Sequence, residues 1–161
     1  MLQTLITSRT RVKLLLKFFL NSRNTSYLRD LEAEFGESTN AIRLELNRLE
    51  DAGLLNSRKE GNKKLYQANQ KHPLFCDIHK ILLKHTGIDH LVEKVVSGLG
   101  GLSSAYVTGH FARGQDHPVI DLLLVGSGID QAYLMKLVEK AEKFISRRVR
   151  YIIATREEAL Q

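Results

Sequence analysis

Apolar residues in the first half of the chain recur at the spacing of amphipathic helices. This spacing predicts three helices, over residues 8–20, 25–36 and 38–52, with Ser8 and Ser38 as N-caps of the first and third. The side chains predicted to face inward are Val12, Leu15, Leu16, Phe19, Leu28, Leu31, Phe35, Ile42, Leu46 and Leu49. The short connection between the second and third helices is typical of a helix-turn-helix.

A hairpin and a further helix are predicted to follow. Two extended segments, Leu54–Lys59 and Lys63–Ala68, flank Glu60-Gly61-Asn62, and glycine and asparagine tolerate the positive φ angles of a tight hairpin. The next helix is predicted from Pro73 to Gly87, because proline fits the first turn of a helix. Its predicted shared face consists of Leu74, Ile78, Ile81, Leu82 and His85.

The second half of the chain mixes helical and extended patterns. Helices are predicted over residues 89–99 and 130–146, and strands over 102–108, 119–125 and 149–154. The remaining predicted features are a turn at Gly109–Gly114 and a capping box, Thr155-x-x-Glu158, that opens a short last helix. The whole chain is therefore predicted to be α+β, with one domain over residues 1–87 and a second over 88–161.

Composition limits the class of protein. The 161 residues are 43% hydrophobic and 26% charged, which is typical of a folded, soluble chain. No apolar run reaches the roughly 18 residues that a membrane span needs, and the N-terminus lacks a signal-peptide layout. The single cysteine, Cys76, excludes an internal disulfide and a CxxC zinc site. We therefore expect a cytoplasmic protein with no membrane partner.

The net charge of +6 lies entirely in the first half. Residues 1–87 hold 15 Lys and Arg against 9 Asp and Glu, whereas residues 88–161 hold 9 of each. Such a local positive field favours a polyanion partner, and nucleic acid is the first candidate. A basic surface that serves only solubility is the alternative that charge alone leaves open.

Polar residues on the third helix and the hairpin favour binding to double-stranded DNA. Asn40, Arg43 and Asn47 fall within about 60° of one another on a helical wheel, and these residue types can bind base edges in the major groove. Basic residues near the hairpin tip can bind phosphates. The candidate DNA-binding residues are Ser38, Thr39, Asn40, Arg43, Asn47, Arg58, Lys59, Lys63 and Lys64. The alternative is an ordinary solvated helix face and a charged turn.

Three segments within residues 8–70 resemble winged-helix regulators of the arsenical-repressor type. They are Tyr27–Leu31, Ala41–Leu54 and Arg58–Tyr66, and the second carries most of an L-x-x-L-x-x-A-G-L-L motif that ends at Leu55. The resemblance implies a transcriptional regulator that acts as a homodimer on a palindromic operator.

Many relatives of that type sense metals through cysteine and histidine. The candidates here are His72, Cys76 and His79. One thiol and scattered histidines make a poor ligand set, so we expect Cys76 to be a small buried apolar residue. No metal site and no cofactor are predicted.

Residues 89–161 resemble the minimal nucleotidyltransferase domain of the polymerase-β-like superfamily. That family has G-S-x-x-x-G followed by D-x-D in a strand. The matching residues are Gly109, His110, Arg113, Gly114 and Asp121, which we predict to be a vestigial nucleotide-binding set.

This chain departs from the family pattern at the residues that bind metal. His110 replaces the serine, Val119 replaces the first aspartate, and the strand 149–154 has no acid. One carboxylate does not make a two-metal site, so we expect no catalytic residues and no ordinary nucleotidyl transfer.

The sequence as a whole predicts a DNA-binding transcriptional regulator. The helix 38–52 and the basic wing 54–68 are expected to bind operator DNA. The degenerate nucleotidyltransferase-like α/β domain, with a short mixed sheet, is expected to serve dimerisation or binding of a nucleotide or small-molecule effector. The alternatives are an antitoxin-like, RNA-, protein- or small-molecule-modifying nucleotidyltransferase that uses Mg²⁺ and a nucleoside triphosphate, and a protein-binding adaptor.

Overall fold

A computed structural model describes residues 2–161 and divides the chain into two compact units. The first unit runs through Leu82 and includes Arg113–Gln115. The second comprises Leu83–Ala112 and Asp116–Gln161. The class is mixed α+β, as predicted. None of the helices in the described part of the chain is long and apolar enough to cross a membrane.

Helices make up most of the first unit. They are α1 (Leu2–Leu5), α2 (Arg9–Leu15) with a π-helical continuation over Leu16–Leu20, α3 (Leu28–Phe35), α4 (Thr39–Asp51) and α5 (Phe75–Thr86), which extends beyond Leu82. The Ser8 hydroxyl accepts a hydrogen bond from the Arg11 amide (3.1 Å), and the Ser38 hydroxyl accepts one from the Ala41 amide (3.2 Å). Both predicted N-caps are therefore confirmed.

A small antiparallel sheet completes this unit. Its strands are β1 (Thr25–Tyr27), β2 (Leu55–Glu60) and β3 (Lys63–Ala68), in the order β1-β3-β2. The β2–β3 hairpin turns at Gly61, which has φ = +63°, as the sequence predicts. The order of helices and strands is that of a winged helix.

The start of the second predicted helix is wrong. Thr25 and Ser26 belong to β1, where Ser26 lies opposite Tyr66, and the helix begins only at Leu28. Pairing with a strand some forty residues further along overrides the local preference of this segment.

The core of the first unit lies between α2, α3, α4 and the sheet. Its fully buried side chains include Leu14, Phe18, Phe19, Leu31, Ile42 and Leu46. The π-helical turn places the adjacent Phe18 and Phe19 both inside, beyond the single face that the 3.6-residue period predicts. The inward positions predicted for α2 and α4 are buried as expected.

The predicted face of α5 is partly wrong. Leu82 is buried, but Ile81 and Leu74 are about half exposed. The helix also begins at Phe75, two residues after Pro73. Apolar residues occupy more of this helix than its neighbours cover. The periodicity alone therefore predicts too many buried residues.

The second unit is built on a mixed three-stranded sheet. Its strands are β4 (Leu102–Thr108), β5 (Val119–Gly126) and β6 (Arg148–Ala154), in the order β4-β5-β6. Its helices are α6 (Ile88–Leu91) with a π-helical continuation over Val92–Val96, α7 (Gly109–Ala112), α8 (Gln131–Ile145) and a last 3₁₀ turn, Glu158–Leu160. β5 pairs antiparallel with β4 and parallel with β6, which confirms the predicted short mixed sheet.

Local signals in this half are largely confirmed. The Asp130 carboxylate accepts a hydrogen bond from the Tyr133 amide (3.0 Å), so it caps α8. The capping box also forms: the Thr155 amide donates to Glu158 (2.8 Å) and the Glu158 amide donates to the Thr155 hydroxyl (3.3 Å). The predicted turn at Gly109–Gly114 instead begins with the short helix α7.

Candidate nucleic-acid interface

Helix α4 presents two different faces. Ile42, Leu46 and Leu49 are buried in the core of the first unit. Arg43 and Asn47 are exposed on the other side, beside a half-exposed Leu44. The arrangement is therefore the one predicted from the helical wheel, with the amide and guanidinium groups free to approach a ligand.

A buried carboxylate joins α4 to α2. Glu45 is only 5% exposed, and it accepts hydrogen bonds from Arg11 (Nε–Oε2 2.8 Å) and Arg48 (Nη1–Oε1 3.3 Å). Burial alone raises the pKa of Glu45, but hydrogen bonds from Arg11 and Ser8 and the charges of Arg11 and Arg48 outweigh it and lower the pKa overall. The Arg11–Glu45 ion pair therefore links α2 to α4 on the buried side of α4, away from the exposed Arg43.

The burial of Glu45 was not predicted from the sequence. A usable signal was present, because Glu45 stands three residues after Ile42 and four before Leu49, on the stripe assigned to the core. A carboxylate at such a position predicts a buried basic partner.

A groove of about 560 Å³ lies between α4, the start of α3 and the tip of the hairpin. It brings together five of the predicted DNA-binding residues, Thr39, Arg43 and Asn47 of α4 and Lys63 and Lys64 of the hairpin. Its other lining residues are Tyr27, Leu28, Arg29, Glu32, Asn62 and Tyr66. Most of its polar side chains are cations or amides. Such side chains suit a negatively charged ligand that also has hydrogen-bonding donors and acceptors.

Four predicted DNA-binding residues lie outside this groove. Asn40 lines a neighbouring depression of about 360 Å³ with Arg43, Leu44 and Asn47. Ser38 caps α4 through its hydroxyl. Arg58 and Lys59 are exposed on β2.

Two of the four hairpin cations are held by carboxylates. Lys64 pairs with Glu50 (2.7 Å), which also accepts a hydrogen bond from the Ser57 hydroxyl. The hydrogen bond from Lys64, followed by that from Ser57, lowers the pKa of Glu50. Arg58 pairs with Glu60 (3.1 Å). Each of these carboxylates neutralises a charge that a phosphate could otherwise engage.

Lys59 and Lys63 make no ion pair among the described residues. The Lys63 ammonium lies 5.2 Å from the centre of the Tyr27 ring, within the range of a cation–π interaction. The Tyr27 hydroxyl in turn donates a hydrogen bond to Glu60. The contacts of Tyr27 were not predicted, because residues 25–36 were predicted to form a helix. Aromatic residues are, however, common in strands.

Two of the three residues considered as metal ligands make other contacts. The His72 ring contacts the Ala52 carbonyl (3.2 Å) and accepts a hydrogen bond from the Leu74 amide (3.0 Å), while His79 contacts the Phe19 carbonyl (2.8 Å). Cys76 is exposed, so the expectation of a buried residue is wrong; it falls on the outer side of α5. Within residues 2–161, no three metal-binding side chains cluster.

Gly109 and Asp121 of the second unit lie side by side. Gly109 has φ = +67°, and a Cβ added to it would lie 2.4 Å from Asp121 Oδ2. Asp121 Oδ1 accepts a hydrogen bond from Arg150 Nε (2.7 Å), because the parallel register places Arg150 directly opposite Asp121. The carboxylate of this site is thus paired with a guanidinium.

His110 and Gly114, also members of the predicted nucleotide-binding set, contact other residues of the chain. The His110 ring stacks on His117, with ring centres 4.0 Å apart. Arg113 and Gly114 belong to the first unit, where a Cβ on Gly114 would lie 2.5 Å from the Lys17 Cα. The glycine at 114 is therefore required by close packing of the chain itself.

The residues around Asp121 do not fit a two-metal site. Val119 and Ile120 precede it in β5, and β6 supplies Arg148, Arg150 and apolar residues but no acid. A divalent cation would have to displace Arg150 and would find one carboxylate where this chemistry uses several.

Comparison with known proteins gives limited matches. No family model and no curated protein matches the chain. Among solved structures, reduced HlyU from Vibrio cholerae is 20% identical, with a TM-score of 0.39, over 57% of this chain and 82% of that one. AF1382 from Archaeoglobus fulgidus is 16% identical, with a TM-score of 0.42, over 58% and 98%. A possible transcriptional regulator for arsenical resistance is 26% identical, with a TM-score of 0.34, over 58% and 90%.

Proposed function

We propose that the protein is a transcriptional regulator that binds double-stranded DNA through α4 and the β2–β3 hairpin. The observation that carries this proposal is the shared groove, in which Arg43 and Asn47 lie beside Lys63 and Lys64. A helix can enter the major groove with Arg43 and Asn47 against base edges, while hairpin cations contact the flanking phosphates. The concentration of the chain's excess positive charge in residues 1–87 supports the same assignment.

Within this proposal, the contacts of the individual residues support different roles. Arg43 and Asn47 serve base recognition, with Asn40 and Thr39 next to them on α4. Lys59 and Lys63 are the hairpin cations ready to bind phosphate, whereas Lys64 and Arg58 must first leave Glu50 and Glu60. Ser38 supports binding indirectly, because its hydroxyl caps the N-terminus of α4.

The test is a binding titration on a library of genomic fragments, analysed at several salt concentrations. Arg43→Ala is expected to weaken binding to a selected fragment by about 10- to 100-fold and to change binding to random DNA little. Its matched control is Arg48→Ala, on the same helix but paired with Glu45 and outside the groove. The double variant Lys63→Ala and Lys64→Ala should weaken binding to all sequences and flatten the salt dependence.

Two outcomes would contradict DNA binding. One is the absence of any retained fragment at low salt. The other is equal, weak affinity for all fragments that Arg43→Ala and Arg48→Ala change alike, which would favour a protein-binding adaptor.

For the second unit, we propose a nucleotidyltransferase-like domain that serves dimerisation or effector binding. The ion pair between Asp121 and Arg150 supports a non-catalytic role, because it neutralises the carboxylate that a metal would need. We expect labelled nucleoside triphosphate with Mg²⁺ or Mn²⁺ and cell lysate to give no transfer. Transfer that is lost in Asp121→Asn would overturn this proposal and favour the enzyme.

A further inference from the structure

One edge of the second unit's sheet is formed by β4. This strand pairs with β5 along one side, with Tyr106 opposite Leu123 and Thr108 opposite Asp121. No strand within residues 2–161 pairs with its other side. The edge of a sheet presents a row of N–H and C=O groups that can pair with a strand from another chain.

The two edges of this sheet differ in their protection. β6, at the far edge, carries the exposed cations Arg148 and Arg150, and charges on an edge strand oppose pairing. β4 has no charged residue and no proline over its seven residues. Its register is irregular between Leu102 and Ser104 and regular from Ser104 to Thr108. A five-residue stretch centred on Tyr106 is therefore able to pair.

The sheet face beside this edge is apolar at its centre. Tyr106, Leu123 and Ile152 form one row across the three strands, and Tyr106 and Ile152 are 54% and 70% exposed. In the adjacent row, Asp121 and Arg150 neutralise one another. Residues 88–161 as a whole carry nine basic and nine acidic side chains. Arg148, on the same face of β6, has no acidic partner among the described residues, but it lies two strands away from the β4 edge.

We propose that β4 pairs antiparallel with β4 of a second copy of this chain, around a two-fold axis near Tyr106. A two-fold contact requires a self-complementary surface, and an uncharged strand with Tyr106 at its centre meets that requirement without repulsion. The two tyrosines then form a cross-strand aromatic pair in a continuous six-stranded sheet. This surface is one specific site for the homodimer named above, and it does not depend on DNA binding.

The test compares two lysine substitutions in the full chain by size-exclusion chromatography with light scattering. Tyr106→Lys places two like charges at the axis, so the measured mass should fall twofold, to that of a single 18.3 kDa chain. Ile152→Lys makes a similar change at a more exposed position in the opposite edge strand, and it should remain a dimer. Circular dichroism melts establish that both variants are folded.

A cross-linking experiment provides an independent readout. In a Cys76→Ser background, Tyr106→Cys should form a disulfide-linked dimer under mild oxidation, and Ile152→Cys should not. The proposal is overturned if the wild-type chain is monomeric, if the dimer survives Tyr106→Lys, or if Ile152→Cys cross-links as efficiently as Tyr106→Cys. DNA titrations of the same variants distinguish this result from failure of DNA binding, because a monomeric Tyr106→Lys chain keeps its α4 surface unchanged.

Discussion

The two three-stranded sheets of the chain differ in where their charges lie. The first sheet carries its cations on one hairpin, where Arg58, Lys59, Lys63 and Lys64 stand within a few residues of the turn. In the second sheet, the charges lie on the central strand β5 and the far edge strand β6, where Asp121 pairs with Arg150, and the edge strand β4 has none. Two sheets of the same size can thus concentrate charge at a hairpin turn or keep one edge strand uncharged.

Conformational requirements also separate the two sheets. The turn of the first sheet depends on Gly61, whose added Cβ would meet nothing within 4 Å. The second sheet depends on Gly109, whose neighbour Asp121 leaves no space for a side chain. An alanine at position 61 should therefore meet only the cost of a positive φ, whereas an alanine at position 109 should also meet a steric clash.

The largest expected effect is that of Gly109→Ala. A positive φ costs an alanine roughly 1–2 kcal/mol, and the clash with the Asp121 carboxylate adds a similar amount, so we expect a loss of about 3 kcal/mol. Urea unfolding followed by circular dichroism measures it. Gly100→Ala is the control, because Gly100 has no atoms near its Cβ position. Equal stability of the two variants would show that the second sheet does not require glycine at 109.

Glu45→Gln should have the next largest effect, a loss of about 2 kcal/mol of unfolding free energy at pH 7. The change removes the charge that receives the hydrogen bonds of Arg11 and Arg48. Because folding lowers the pKa of Glu45, its contribution is complete above the ordinary value of 4.5 and is lost as the pH falls through the lower, folded value. The difference from wild type should therefore shrink below pH 4.5.

Denaturant melts between pH 3 and 7 test this pH dependence. Glu139→Gln, at an exposed position of α8, is the control and should change stability little at any of these pH values. A Glu45→Gln difference that stayed constant on acidification would exclude the ion pair as its cause.

Glu50→Gln should have the smallest effect, and it acts on affinity. It releases Lys64 for a phosphate, so DNA should bind about twofold to fivefold more tightly at low salt, the equivalent of roughly 0.5–1 kcal/mol for an exposed ion pair. The salt dependence should also steepen. Glu139→Gln removes the same charge from the second unit. If both variants bind DNA equally well, the gain reflects net charge and not Lys64.

The sequence predicted those features that depend on residues near one another in the chain. Ser38 and the Thr155–Glu158 box are examples, since a cap needs only its own first turn. The positions of Arg43 and Asn47 relative to the core stripe also followed from one helical period. Their role in DNA binding stays a prediction.

Features that depend on distant partners were not predicted. β1 forms because Thr25–Tyr27 pairs with β3, and the local sequence does not predict this pairing. The sequence predicted only that the strand 149–154 has no acid. The ion pair of Arg150 with Asp121 was not predicted, because it depends on the parallel pairing of β5 and β6. Similarly, the exposure of Cys76 depends on which side of α5 the neighbours cover. Tertiary packing decided each of these cases.

The π-helical turn at Leu16–Leu20 determines where the first long helix can lose a residue without turning its N-terminal part. The π turn holds one more residue than an α turn, so the removal of one residue from Leu16–Leu20 would restore an ordinary helix and turn α2 little. The removal of one residue between Arg11 and Leu16 has no such turn to absorb it and would rotate Arg11 by about 100°. Arg11 would then leave Glu45, and α4 would lose its buried ion pair.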